Sequence, residues 1–307
     1  LRSFPISQLA GVVVKLFVTG GAGFLGRWIC ATALEGGHEL VVMSRHPERV
    51  IGLPEGVTVV EGELTDAEQL TRVIGEARPD TVIHAAAVVT DDDPRLQPVN
   101  VGGTEALIGS MQALGGSPRL THISTFAVED IPPTPYSESK LLAEELVRAA
   151  GLPFVVLRPA LIYGNGDGTN TPALVERMQS GSHWLPAGGS TRIQPVFVED
   201  AARAIVAAAV LPGIEGKTYR LGGPEPVSVR AYREAVRDAT GGRAVVRSIP
   251  LGLFGLLARV LALVGKQGAK QVHQFHVADH AVDIEDSRRD LQFSPRSLAA
   301  GLASTFA

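Results

Sequence analysis

The sequence predicts an α/β chain built on a doubly wound parallel sheet, with a smaller C-terminal lobe. Three observations carry that expectation. Short β-rich runs alternate with helical runs through the first half, a glycine cluster closes the first of those runs, and the alternation loosens after Arg158. Strands of about five apolar residues between helices of about ten to fifteen imply a sheet covered on both faces, with any ligand at the carboxyl ends of the strands.

Val12 to Thr19 is predicted as the first strand and Phe24 to Leu34 as the helix behind it. Glu39 to Met43 and Val57 to Val60 follow as strands, Asp66 to Ala77 as a helix and Thr81 to Ala85 as the fourth strand. Asn100 to Leu114 reads as a helix, Leu120 to Ser124 as a fifth strand, Tyr136 to Ala150 as a long helix and Phe154 to Leu157 as a sixth strand. Residues 1–160 are thus one unit. In residues 161–307, loops rich in Gly, Pro and Asn (Tyr163 to Pro172, Leu185 to Gln194) separate shorter helices at Leu174 to Gln179, Asp200 to Val210 and Val229 to Thr240. A short strand is expected near Thr218 to Leu221. This part is read mainly as a substrate-binding lobe, with some segments returning to the sheet.

Composition narrows the function classes. With 45% hydrophobic and 20% charged residues, the 307-residue chain is neither disordered nor a coiled coil. A net charge of -4 and the lack of a basic stripe with interleaved aromatics argue against a nucleic-acid partner. The single cysteine, Cys30, excludes a disulfide framework and is expected in the core. The eight histidines show no HExxH pattern, and although His273 and His276 are three apart, nothing completes a ligand set, so no metal is expected. Leu1 to Leu16 runs into the first strand rather than reading as a signal peptide. The expected location is the cytoplasm, with or without membrane association. Leu251 to Val264 is apolar, interrupted by Arg259 and too short to span a bilayer; a lipid-facing helix, a dimer contact and a lid helix are its three readings.

The glycine cluster is the first chemical signal. Val18-Thr19-Gly20-Gly21-Ala22-Gly23-Phe24-Leu25-Gly26 joins a strand to a helix and fits both GxGxxG (Gly21, Gly23, Gly26) and GxxGxxG (Gly20, Gly23, Gly26). Such a turn lets a pyrophosphate approach the backbone while the helix N-terminus receives its charge, which makes residues 1–160 a dinucleotide-binding (Rossmann) domain. An acid normally follows about 20 residues on to hold the ribose hydroxyls. Here the second strand ends in Met43-Ser44-Arg45-His46. A guanidinium at Arg45, helped by Ser44, suits a 2′-phosphate and favours NADP(H) over NAD(H).

Tyr136 and Lys140 stand four residues apart on one predicted helix, so phenol and ammonium share a face. A nearby cation is expected to lower the tyrosine pKa and let it move a proton while hydride moves between nicotinamide and carbon. Ser124 and Thr125, at the end of the fifth strand, can orient the reacting oxygen.

With these residues in place the chain resembles a short-chain dehydrogenase/reductase of the extended or atypical type, in the NAD-dependent epimerase/dehydratase superfamily. Gly62-Glu63-Leu64-Thr65-Asp66, His84-Ala85-Ala86-Ala87, Asn100 with Gly103-Thr104, Arg158-Pro159-Ala160, Tyr163-Gly164, Val196 to Asp200 and Leu221-Gly222-Gly223 extend the match over nearly the whole chain. The resemblance implies cofactor contacts at Gly20, Gly23, Phe24, Leu25, Gly26, Glu63 (where the family usually has Asp), Leu64, Ala85, Ala86, Ala87, Lys140 and Pro159. It implies a structural role for Asn100, substrate contacts at Asn165 and Arg192, and a homodimer through helices near Glu105 to Leu114 and Leu141 to Ala149. The C-terminal part, including Gln271 to Ala281 and Leu291 to Gly301, is similar to the branch of the NADPH-binding accessory subunit of respiratory complex I.

Two departures count against a sugar epimerase: Tyr136 follows Ser124 by only 12 positions, and Phe126 stands where a small or hydroxyl residue is common. The expected function is an NAD(P)-dependent oxidoreductase acting on a carbonyl or alcohol carbon of a small molecule. A nucleotide-sugar epimerase/dehydratase and a non-catalytic NAD(P)H-binding accessory protein are the alternatives.

Overall fold

Thirteen strands and ten α-helices occur among the described residues of the computed structural model, which are 12–115, 117–130, 133–168, 170–263, 275–276 and 279–307. The N-terminal stretch to residue 11, Val264 and Gln271 to Gln274, including His273, lie outside them.

The first six strands are β1 (Lys15–Thr19), β2 (Glu39–Ser44), β3 (Thr58–Glu61), β4 (Thr81–His84), β5 (Arg119–Ile123) and β6 (Phe154–Pro159). Between them lie α1 (Phe24–Glu35), α2 (Ala67–Ala77), α3 (Gly103–Gln112) and α4 (Pro135–Ala149). Then come β7 (Ile162–Tyr163), α5 (Asn170–Gln179), β8 (Ser182–Pro186), β9 (Arg192–Ile193), β10 (Val196–Phe197), α6 (Val198–Val210) and β11 (Thr218–Leu221). The chain ends with β12 (Val227–Ser228), α7 (Val229–Ala239), β13 (Val245–Ile249), α8 (Leu251–Leu263), α9 (Glu285–Asp290) and α10 (Leu298–Phe306).

The central sheet has seven parallel strands in the order β11-β6-β5-β4-β1-β2-β3. The strand order reverses between β1 and β4, which opens a crevice at their carboxyl ends. Strand residues alternate between two apolar layers. Leu16, Val18, Ile83, Ile123 and Val155 face α1 and α6, whereas Phe17, Val82, Leu120 and Val156 face the layer of α2, α3 and α4. Buried Ala201, Ala202, Ala204, Ala208 and Ala209 keep α6 slim where it packs on the sheet. A third cluster holds the C-terminal lobe together around Tyr163, Phe197, Tyr232 and Leu302.

Three elements differ from expectation. The first strand begins at Lys15, whose partner Glu39 starts β2, while Val12 and Val13 are exposed. The helix expected over Asn100 to Leu114 opens as a π-turn at Pro98–Gly102 before α3 begins. Thr218–Leu221, expected beside the short helices of the second lobe, is the seventh strand of the central sheet. It pairs with β6 from Thr218↔Val156 to Leu221↔Pro159 and buries Tyr219 and Leu221 in the α1–α6 layer.

Candidate active site

The strand ends of β1, β4, β5 and β6 are neighbours in the sheet, so Gly20, Ala85, Ser124 and Pro159 meet along one edge. At β1 the chain turns through Gly20 with φ +75°, and a Cβ there would come within 2.6 Å of the Ala86 backbone nitrogen. A Cβ on Gly26 would lie 2.7 Å from the Gly21 Cα, so this glycine lets α1 lie against the turn. Gly23 is the N-cap of α1, makes no side-chain cap and is followed by no acid in the first turn. The orphan N–H groups of a helix start therefore face the crevice without a competing anion. Phe24 and Leu25 form the half-buried first turn, and Leu64 is buried where α3 begins, within 2.7 Å of a Cβ placed on Gly103. Ala85 donates its N–H to the Thr19 carbonyl at 3.1 Å, Ala86 donates to the Thr19 hydroxyl, and Ala87 continues the same edge. The cradle fits a dinucleotide: Gly20 and Gly26 hold the turn tight against its neighbours, and the uncapped start of α1 offers backbone donors to a pyrophosphate.

Next to it, α4 starts with Thr134 as N-cap in a capping box with Ser137, and Pro135 takes the first turn. The Tyr136 N–H donates to the Asp91 carboxylate at 2.8 Å, which anchors that turn to the loop beyond β4. The phenol of Tyr136 lies beside the Thr125 side chain, whose hydroxyl favours the ionised phenol. Lys140, one turn on, is only 2% exposed. Ser124 is 4% exposed, and its Oγ has no hydrogen-bond partner. Asn100, at the π-turn, accepts the Val88 N–H at 2.8 Å and donates to Val88 O and Ser139 Oγ, both at 2.9 Å. The wider π-turn aims that amide across to α4.

Burial pushes the Tyr136 pKa up to about 12, against the pull of the Thr125 hydroxyl. This corrects the expectation of a tyrosine lowered by its lysine. Desolvation costs Lys140 its own charge, bringing it down to about 8 despite the attraction of Glu144. The site thus presents a protonated phenol, an ammonium close to neutral titration and an uncommitted hydroxyl.

A match to the NAD dependent epimerase/dehydratase family model spans residues 16–222, from the start of β1 to just past β11. The chain belongs to that family. Within it, the 2-alkyl-3-oxoalkanoate reductase of Stenotrophomonas maltophilia is 30% identical over 94% of this chain and 97% of its own length. The 3 beta-hydroxysteroid dehydrogenase/Delta 5-->4-isomerase of Mycobacterium tuberculosis is also 30% identical, over 96% and 90%. The fold is shared with the Thermus thermophilus UDP-glucose 4-epimerase, solved as a complex with NAD, at a TM-score of 0.76 and 23% identity over 95% of this chain and 97% of that one. The protein is an enzyme of the NAD(P)-dependent oxidoreductase or epimerase kind.

For a member of the epimerase/dehydratase family, the remaining predicted residues divide. Pro159 is buried at the end of β6, level with Leu221. Ser44 accepts the His46 N–H on its hydroxyl, which turns the chain after β2. Arg45 lies 3.9 Å from the Glu63 carboxylate, both side chains partly exposed at the far end of the crevice. Asn165 is used structurally: its side-chain amide donates to the Ser304 carbonyl at 3.1 Å and its backbone carbonyl accepts the Trp28 indole N–H at 2.9 Å, so it ties α1 to α10. Arg192 is exposed and ion-paired with Asp279.

Sequence reasoning overlooked a buried polar layer beneath the site. His84 accepts from or donates to Thr19 at 2.7 Å and Thr104 at 3.0 Å, and burial brings its pKa down to about 3. His122 sits 5.3 Å away, ring to ring, with both nitrogens unpartnered. Desolvation, then the nearby Lys140 charge, keep it neutral. Glu144 was missed too, although its spacing of four from Lys140 was a visible signal.

Proposed function

We propose that the protein is an NADP(H)-dependent reductase of a carbonyl group, reversible as an alcohol dehydrogenase, with its oxygen at position 3 of a largely apolar substrate. The reading rests on one observation above all: Thr125, Tyr136, Lys140 and an unpartnered Ser124 Oγ gather at the strand ends beside the glycine cradle. The 3-oxoalkanoate and 3-hydroxysteroid relatives support the substrate class. When bound, the nicotinamide supplies or accepts the hydride.

The chain's own residues then have distinct tasks. Ser124 Oγ holds the carbonyl oxygen. Tyr136, kept protonated by burial, gives that oxygen its proton as negative charge develops. The Thr125 hydroxyl stabilises the phenolate that remains, and the Lys140 ammonium adds electrostatic support while holding the cofactor ribose. Arg45 and Ser44 receive the 2′-phosphate.

The test is NADPH oxidation against a panel of 2-alkyl-3-oxoalkanoates and 3-oxosteroids, with UDP-glucose as the competing substrate. Tyr136→Phe should abolish turnover, a fall of about 100-fold or more, with NADPH affinity unchanged. Tight NADPH binding without turnover of any carbonyl would favour the accessory-protein reading. Retained NAD⁺ with interconversion of nucleotide sugars would favour the epimerase.

A further inference from the structure

Helix α8 has the sequence LGLFGLLARVLAL, in which Arg259 is the sole polar side chain. Leu251, Phe254 and Ala258, spaced as one helical stripe, are half-buried to buried. Leu253, Leu256 and Leu257 form a second stripe at spacings of three and four, and they stand 57%, 60% and 45% exposed. The ribbon of β8 and β13 leads into this helix through Pro250 and repeats the pattern. Its Val246 side packs into the third core cluster, while Trp184 and Arg247, in register across the ribbon, face outward with the guanidinium 5.7 Å over the indole. Val245 on that outer side is 52% exposed.

Charge separates the occupants such a face could take. Between Asp238 and Asp279 the sequence contains no Asp or Glu, yet it carries Arg243, Arg247, Arg259, Lys266 and Lys270 in a chain whose net charge is -4. A second copy seated two-fold on the same face would oppose Arg247 and Arg259 with their own equivalents and offer no counter-charge from this segment. Anionic headgroups supply that counter-charge, and the acyl boundary supplies a home for the leucines. At 13 residues, α8 is about 20 Å long, short of the roughly 30 Å hydrocarbon thickness, and among the described residues no helix is long and apolar enough to cross a membrane.

We propose that α8 and the outer side of the β8–β13 ribbon form a peripheral docking surface for an anionic lipid bilayer. The leucine stripe enters the interface, Trp184 sits at headgroup level, and Arg247 and Arg259 pair with lipid phosphates.

Vesicle flotation tests it with two compositions, phosphatidylcholine alone and phosphatidylcholine with phosphatidylglycerol. The full chain should float with the anionic vesicles, stay behind with the neutral ones and be released by salt. Trp184 emission should shift to the blue on binding, and Trp184→Phe should remove that shift. The Leu253→Glu/Leu256→Glu variant should bind about tenfold more weakly or worse. Arg247→Gln and Arg259→Gln should each cost about fivefold. All five side chains are exposed, so NADPH affinity and melting temperature should match the parent in every variant. Failure to float with anionic vesicles at low salt would overturn the proposal, as would binding that ignores the leucine substitutions. So would a dimer in sedimentation velocity that the double variant dissociates while vesicles have no effect, since a second copy would then cover the face.

Discussion

Glu144 lies one turn beyond Lys140 on α4, yet both its carboxylate oxygens are taken by Arg158, at 2.9 and 2.7 Å from Nε and Nη2. Arg148 shares the second oxygen at 3.0 Å, and the carboxylate is 1% exposed. The ammonium of Lys140 therefore feels the field of Glu144 without a bond to it.

Substituting Glu144→Gln should expose what that arrangement supports. Arg158 would keep one neutral acceptor and its contact with Glu129 at 2.8 Å, a carboxylate it shares with Arg220, so two guanidinium groups would be left with one carboxylate between them. Losing one partner of such a pair costs about 3 kcal/mol, read as a lower denaturation midpoint. Lys140 would also lose the carboxylate that opposes its desolvation. Its deprotonation should move below 8, and the alkaline fall in kcat should move with it.

Lys140 itself should trade stability against catalysis. Its pKa lies near 8 in the folded chain against 10.5 for the free side chain. Below about 8 both states hold the proton. Between 8 and 10.5 the unfolded chain holds more, so this residue's contribution to stability rises with pH across that window. Replacing the buried ammonium by Lys140→Met should raise stability at neutral pH by on the order of 1–2 kcal/mol. The same variant should flatten the rise above pH 8 and lose nearly all turnover. A melting temperature that drops at neutral pH would show that the ammonium is satisfied in a way the geometry does not reveal.

What could be read from the sequence was local. The turn from β1 to α1 follows from glycine sterics and helix-end donors, and the Tyr136–Lys140 face follows from helical spacing. Both needed only neighbours within a few residues. The rest depended on contacts across the chain. Thr218–Leu221 joins the sheet because its edge matches Val156–Pro159, a pairing that no local pattern encodes. The resemblance points Asn165 at the substrate, whereas its side-chain amide is bonded to the carbonyl of Ser304, 139 residues away, a contact no local pattern announces. The raised tyrosine pKa had the same origin: spacing shows which charges are close, whereas desolvation depends on everything packed around them.

Arg45 should decide between the two nicotinamide dinucleotides. Its guanidinium is held only loosely, 3.9 Å from Glu63 and more than half exposed, so a 2′-phosphate can draw it away at little cost. Removing it by Arg45→Ala should weaken NADPH about tenfold or more while changing NADH little, since charge-assisted hydrogen bonds are worth about 1.5–3 kcal/mol. Parallel titration of the two cofactors against parent and variant measures this. Equal losses for both would assign Arg45 to the fold of the crevice.

Ser124 offers the sharpest separation of folding from function. A buried hydroxyl without a partner is a cost to the folded state, and its side chain is small enough that alanine leaves no significant cavity. Ser124→Ala should therefore leave the melting temperature level or slightly higher, because the folded chain loses a desolvated group and gains nothing unfavourable. In turnover the same hydroxyl is the group that holds the reacting oxygen. Its loss should lower kcat by about 10- to 100-fold, with NADPH affinity unchanged because the cradle at Gly20 and Gly26 is untouched. Were the hydroxyl structural, stability would fall and kcat would not. Opposite movement of the two readouts is the outcome expected of a site residue whose polar atom is kept free for substrate.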